Sequence, residues 1–204
     1  MSTLALFDFD GTITTHDSLI KFIRFAVGDA AFAKGMLQLS PMLAAYKFKL
    51  IPNDKAKALM LSHFFKGMPE EKFRDIASTY ALTHIDTILR PKAMERIVWH
   101  QEEGHEVVIV SASMECWLKP WCEKHNIALL GTQLEMQNGM VSGKFLTKNC
   151  YGAEKANRVR QVYDLERYEL IYAYGDSRGD RELLSLAHTG EYKPFRRSRK
   201  RSIV

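Results

Sequence analysis

The sequence predicts an α/β fold: a parallel-sheet core with an all-helical cap inserted after its first strand. Three observations carry this. Apolar runs of strand length alternate with helical stretches after residue 85, as parallel strands joined by crossover helices do. Residues 17–84 keep a helical pattern that no strand signal interrupts. The apolar runs end on acidic or small polar residues, and open α/β sheets collect their functional groups at strand ends.

"LALFDFD", from Leu4, is a short apolar strand that closes on Asp8 and Asp10. The helical stretch that follows is punctuated at Gly28, Ser40-Pro41, Ile51-Pro52 and Gly67-Met68-Pro69. Pro91 opens another helix and Gly104 closes it. "EVVIVSAS" is a buried strand ending in Ser111, Ala112 and Ser113. "MECWLKPWCEKHN" is a helix that Pro120 is expected to kink or break. "IALLG" is a third strand, and "TQLEMQNGMVSGKF" is a hairpin turning on Asn138-Gly139. A helix from about Gly152, a strand in "YELIYAYGDSRGD", a short helix "RELLSLA" and an edge strand in "HTGEYKPF" complete the core. The expected organisation is a core of residues 1–14 and 85–204, with a cap of residues 15–84.

A chain of 204 residues, 46% hydrophobic and 26% charged, reads as globular and soluble. Its three cysteines, Cys116, Cys122 and Cys150, are odd in number and scattered. They read as core thiols in a reducing compartment rather than a disulfide framework. No basic-then-apolar leader is seen, and no run reaches the about 20 apolar residues that a membrane-spanning helix needs. A cytoplasmic location is expected. The net charge of +5 belongs to the end of the chain: Lys193, Arg196, Arg197, Arg199, Lys200 and Arg201 follow Glu191 without an acid. Without them, 23 basic residues face 24 acidic ones. This tail, residues 193–204, reads either as a solvated terminus or as a segment drawn to an anionic surface. Nothing else in the chain suggests nucleic-acid recognition.

Strand alternation puts Asp8 and Asp10 on the same side of an extended backbone. The predicted sheet adds Ser111, Asp176 and Asp180 at the same edge. Four carboxylates so gathered cannot all ionise without a counter-ion. A hard divalent cation with oxygen ligands answers that need, and Mg2+ is expected. Because Mg2+ tends to bind few carboxylates and to share a substrate phosphate, the constellation points to phosphoryl chemistry.

These residues resemble the haloacid dehalogenase superfamily of phosphohydrolases. Asp8-Phe9-Asp10-Gly11-Thr12 matches its first motif and Ser111 its second. Lys155 in "GAEKANRV" matches its third, and Asp176 and Asp180 in "GDSRGD" its fourth. The match covers residues 1–14 and about 85–192, with a Rossmann-like core; the cap is similar by position and helicity only. The resemblance implies Asp8 as nucleophile and Asp10 as general acid and base. It implies Gly11 as the tight turn beside the phosphate, and Ser111, Ala112 and Lys155 as phosphate-binding residues. Mg2+ would lie on Asp8, the Asp10 carbonyl and Asp176, with Asp180 completing the shell. Asp180 also reads as a helix cap. The acid at Asp10 implies a phosphatase or phosphomutase within that superfamily.

The position of the helical insertion is similar to the branch containing phosphoserine phosphatases. Asp17 sits where those enzymes meet a substrate amino group, and it also reads as a helix N-cap. Leu61 stands where their cap arginine would hold a carboxylate. "VSAS", residues 132–155 and the ending "GDSRGDRELLSLA" are more similar to the subfamily with a bacterial phosphatidylglycerophosphate phosphatase. Residues 30–51 form two apolar half-helices hinged at Ser40-Pro41 and dotted with lysines. They read either as ordinary cap packing or as a hairpin resting in an anionic membrane interface. The expected activity is an aspartyl-phosphate phosphomonoesterase acting on a small phosphorylated metabolite or a lipid headgroup phosphate. The alternatives are a phosphotransferase or phosphomutase, or a membrane- or protein-binding module with a vestigial site.

Overall fold

In a computed structural model, which describes residues 2–196, strand alternation creates a two-sided core. The first strand, β1 (Thr3–Phe7), buries all of its residues. Ala5 and Phe7 face one apolar cluster, and Leu4 and Leu6 face the other. Beside it lie β2 (Glu106–Met114) and then β3 (Ala128–Thr132). On its other side lie β6 (Leu170–Gly175) and β7 (Thr189–Tyr192). All neighbours in this order, β3-β2-β1-β6-β7, run parallel. The chain steps outward from β1 in one direction and then returns to its other side. The reversal makes the carboxyl ends of β1, β2 and β6 a crevice suited to a ligand.

The crossover helices are α6 (Pro91–Glu102), α7 (Glu115–Lys124), α8 (Ala153–Val162) and α9 (Arg181–Leu184). Of the kink or break expected at Pro120, the break does not occur: α7 runs through it. The missing N–H costs one helical bond, and burial of Trp117, Leu118, Trp121 and Cys122 on the same helix offsets it. Strand β2 also continues past Ser111 to Met114, with its register to β3 shifting between Val110 and Met114.

The cap comprises α1 (Ser18–Val27), α2 (Asp29–Gln38), α3 (Ser40–Lys47), α4 (Asn53–Phe65) and α5 (Glu70–Thr83), separated at the punctuating residues. Its aromatic side chains continue the core. Phe22 stacks on Trp117 at 4.6 Å and also meets Phe65, Phe73 and Tyr80. Two further strands, β4 (Leu134–Gln137) and β5 (Met140–Phe145), form the hairpin. Asn138 and Gly139 both have positive φ, as a two-residue turn of this kind requires. Although its sequence lies between core elements, the hairpin bonds to the cap: Gly67 N–H donates to the Val141 carbonyl, and Val141 N–H to that of Met68. No helix among the described residues is long and apolar enough to cross a membrane.

Candidate active site

The chain leaves β1 through a turn that places Asp8 and Asp10 over the sheet's carboxyl edge. Asp8 N–H still bonds to the Tyr174 carbonyl of β6. Gly11 then adopts φ +84°, a left-handed conformation that favours glycine. A Cβ there would lie 2.5 Å from Asp176 Oδ2, so glycine is also what lets the β1 turn approach the β6 loop.

Asp8, Ser111, Lys155 and Asp180 are all buried. Lys155 occupies the first turn of α8, where the helix dipole disfavours a cation. Two carboxylates hold it there: its Nζ donates to Asp8 Oδ1 at 2.5 Å and to Asp180 Oδ1 at 2.7 Å. Burial opposes the Lys155 charge, but the two acids outweigh it and hold the ammonium well above its usual range. Burial pushes the Asp8 carboxyl up to about 6 against the attraction of Lys155, with the Asp180 charge adding to the rise. Thr12 Oγ1 donates to the other Asp8 oxygen at 2.8 Å.

Asp10 stands in a different environment. Its oxygens accept from Ser18 N–H at 2.8 Å, Ser18 Oγ at 3.2 Å and Ser113 Oγ at 2.5 Å. Burial, then the nearby Asp17 charge, pushes its carboxyl up to about 7. Asp17 itself caps α1, accepting from Leu19 N–H and Ile20 N–H, while also lining the cleft. Its two expected positions are therefore compatible.

Asp180 binds Lys155 through one oxygen, and through the other accepts from Asp176 N–H, Ser177 N–H and Ser177 Oγ. Burial would raise its pKa, but Lys155 and the Ser177 donors lower it. Asp180 thus fixes the loop that carries Asp176. Asp8, Asp176 and Asp180 each offer an oxygen within 4.8 Å of the others. The Asp10 carboxylate is not in this set. Hard carboxylate oxygens at this spacing suit Mg2+. Arg196, from the start of the basic tail, meets Asp176 Oδ2 at 2.6 Å. Residues 197–204 of that expected tail lie outside the described residues.

The cleft has a volume of about 150 Å3 and gathers every site residue expected from the sequence except Gly11, which lies beneath Asp176. It also contains residues the sequence reading passed over. Asn53 and Lys57 reach it from α4 of the cap, and Tyr151 and Ser177 from the core. Lys57 Nζ lies 3.4 Å from the Ala112 carbonyl. Ser113 stood in the sequence only as a small polar residue closing β2, and its bond to Asp10 was not expected. Lys57 was not legible, because nothing in its helical repeat says which turn of the cap faces the core.

A family model described as haloacid dehalogenase-like hydrolase matches residues 5–185. The chain belongs to this family. It is 34% identical over 197 residues to protein CicA of Caulobacter vibrioides, covering 95% of this chain and 86% of that one. It is 27% identical to a histidinol-phosphatase of Neisseria meningitidis, covering 91% and 87%. A solved phosphoserine phosphatase, described as a phospho-aspartyl intermediate analogue, shares its fold with a TM-score of 0.65 at 18% identity, covering 93% and 85%. The family hydrolase fold with a helical cap, expected from the sequence, is the fold of this chain.

Proposed function

We propose that this hydrolase is a Mg2+-dependent phosphomonoesterase that works through an aspartyl-phosphate on Asp8. The observation that carries the reading is the contrast between two neighbouring carboxyls. Asp8 touches the Lys155 ammonium at 2.5 Å, which counters the rise that burial gives its carboxyl and favours the anionic form a nucleophile needs. Asp10 has a carboxyl raised to about 7 and is oriented by serine donors, which suits proton transfer near neutral pH.

In this reading an Asp8 oxygen attacks phosphorus, the bond to the ester oxygen breaks, and Asp10 gives that oxygen its proton. Asp10 then takes a proton from water as the water attacks phosphorus. Inorganic phosphate leaves and Asp8 is restored. Lys155, Ser111 and the backbone around Ala112 would grip the phosphoryl oxygens, with Gly11 making room. Asp8 and Asp176 would hold Mg2+ with the Asp10 carbonyl, and Asp180 would fix Asp176 and Lys155 in place. The ion would supply positive charge against the phosphoryl oxygens.

The substrate class proposed is a phosphorylated small molecule or a lipid headgroup phosphate. Relatives that include a histidinol-phosphatase support the first. Leu61 is fully buried in α4, so the cap offers no charged group at that position. Lys57, one helical turn earlier, supplies the cap's cation at the cleft. The test is hydrolysis of an aryl phosphate with Mg2+. Asp10→Asn should lose turnover while its thermal unfolding stays close to that of the parent. Turnover of that variant at the parent rate would overturn the assignment of Asp10.

A further inference from the structure

The three most exposed large apolar side chains among the described residues all lie in residues 37–50. Leu37 is 74% exposed, Phe48 74% and Leu50 76%. Around them the cap is poorly covered: α3 buries no residue and α2 buries only Gly35. No acid occurs between Asp29 and Asp54, while Lys34, Lys47 and Lys49 do. Residues 46–50, Tyr-Lys-Phe-Lys-Leu, are exposed without interruption.

This run has a fixed shape. Leu50 N–H bonds to the Ala45 carbonyl and Lys49 N–H to that of Tyr46, both at 2.9 Å. That pair of bonds closes a helix end whose left-handed residue is usually glycine. Here the residue is Lys49, with φ 60°. A charged side chain is held at a position that glycine would fill with less strain. The turn also borders the cleft: Asn53, which lines it, donates from Nδ2 to the Tyr46 hydroxyl at 2.9 Å.

We propose that residues 46–50 form a docking surface for an anionic lipid bilayer. Phe48 and Leu50 enter the boundary below the headgroups, and Lys47 and Lys49 pair with lipid phosphates. A second copy of the chain fits this surface less well. A two-fold contact presses the same patch on itself and brings Lys47 and Lys49 against their own counterparts. Docking by this turn sets the mouth of the proposed phosphatase cleft at the membrane surface without a spanning helix.

The test is co-sedimentation of the full chain with vesicles of phosphatidylglycerol and phosphatidylcholine, against phosphatidylcholine alone. Binding should require the anionic lipid and weaken with salt. Phe48→Ser with Leu50→Ser, and separately Lys47→Glu with Lys49→Glu, should each reduce binding roughly tenfold or more. Both should keep the parent's thermal unfolding, and if the apolar pair fails to fold, the lysine pair decides. The proposal is overturned if the parent ignores anionic vesicles or if the variants bind as the parent does. It is also overturned if light scattering finds a dimer that the variants dissolve. Vesicle binding by a chain that hydrolyses no phosphomonoester would leave this surface standing and defeat the catalytic reading instead.

Discussion

Replacing Lys155 with methionine keeps most of the side-chain volume and removes the charge between two buried acids. Asp8 and Asp180 are 6% and 1% exposed and lie 2.5 and 2.7 Å from the ammonium. Removing one partner of a buried ion pair costs about 3–5 kcal/mol, because the remaining charge is left uncompensated. For a chain of this size that is a fall of about 6–20 °C in Tm. The loss should depend on pH. Without the ammonium the Asp8 pKa, already raised by burial, climbs further and that of Asp180 rises above its unfolded value, so the folded state binds more protons than the unfolded state across that interval. Stability of the variant therefore recovers as pH falls from 7 toward 5, and declines as pH rises. Thermal unfolding in chelator at pH 7 and pH 5 reads both effects. A variant that melts with the parent at pH 7, or whose deficit does not shrink at pH 5, would refute the claim that Lys155 neutralises this pair. Loss of the cation should also lower aryl phosphate turnover by about 100- to 1,000-fold.

Three further outcomes follow from the same geometry. Gly11→Ala forces a left-handed alanine and sets its Cβ 2.5 Å from Asp176 Oδ2. It should cost about 1–2 kcal/mol in denaturant unfolding and abolish the rise in Tm with Mg2+ that is expected of the parent. Arg196→Ala frees Asp176 Oδ2 from its ion pair and should tighten Mg2+ binding several-fold by calorimetry; unchanged affinity would show that the arginine does not compete with the metal. His100 is fully buried between Tyr174 and His105, and burial pushes its pKa down to about 3. The unfolded chain therefore binds the extra proton below about pH 6.5, and the stability present above that pH is lost as pH falls. His100→Gln should flatten the acid limb of a stability–pH profile.

The sheet edge was legible because its chemistry is local. The residues that close the apolar runs mark that edge, although β1 ends at Phe7 and the turn after it, not strand alternation, sets Asp8 and Asp10 there. Ser111 lies toward the end of β2 and Asp176 just after β6. The breaks between cap helices were equally legible, since Gly28, Pro41, Pro52 and Pro69 act on the backbone of their neighbours. What stayed hidden depends on packing between distant segments. Pro120 reads as a helix breaker, yet two buried tryptophans hold its helix together. The hairpin sits between core elements in sequence but bonds to Gly67 and Met68 of the cap. Lys57 reaches the cleft because α4 is rotated to bury Leu61 and Met60. Arg196 finds Asp176 because Phe195 packs on Tyr174 and near Phe7, fixing where the chain emerges.

In the proposed mechanism Asp8 carries the phosphoryl group during turnover. Acid-quenching the enzyme while it hydrolyses an aryl phosphate with Mg2+, then mapping its peptides by mass spectrometry, tests that claim most directly. With Asp8 as nucleophile, a phosphoryl adduct appears on the peptide bearing Asp8, and Asp8→Asn shows neither adduct nor turnover. Sustained turnover with that peptide unmodified, or turnover by Asp8→Asn, would contradict that role.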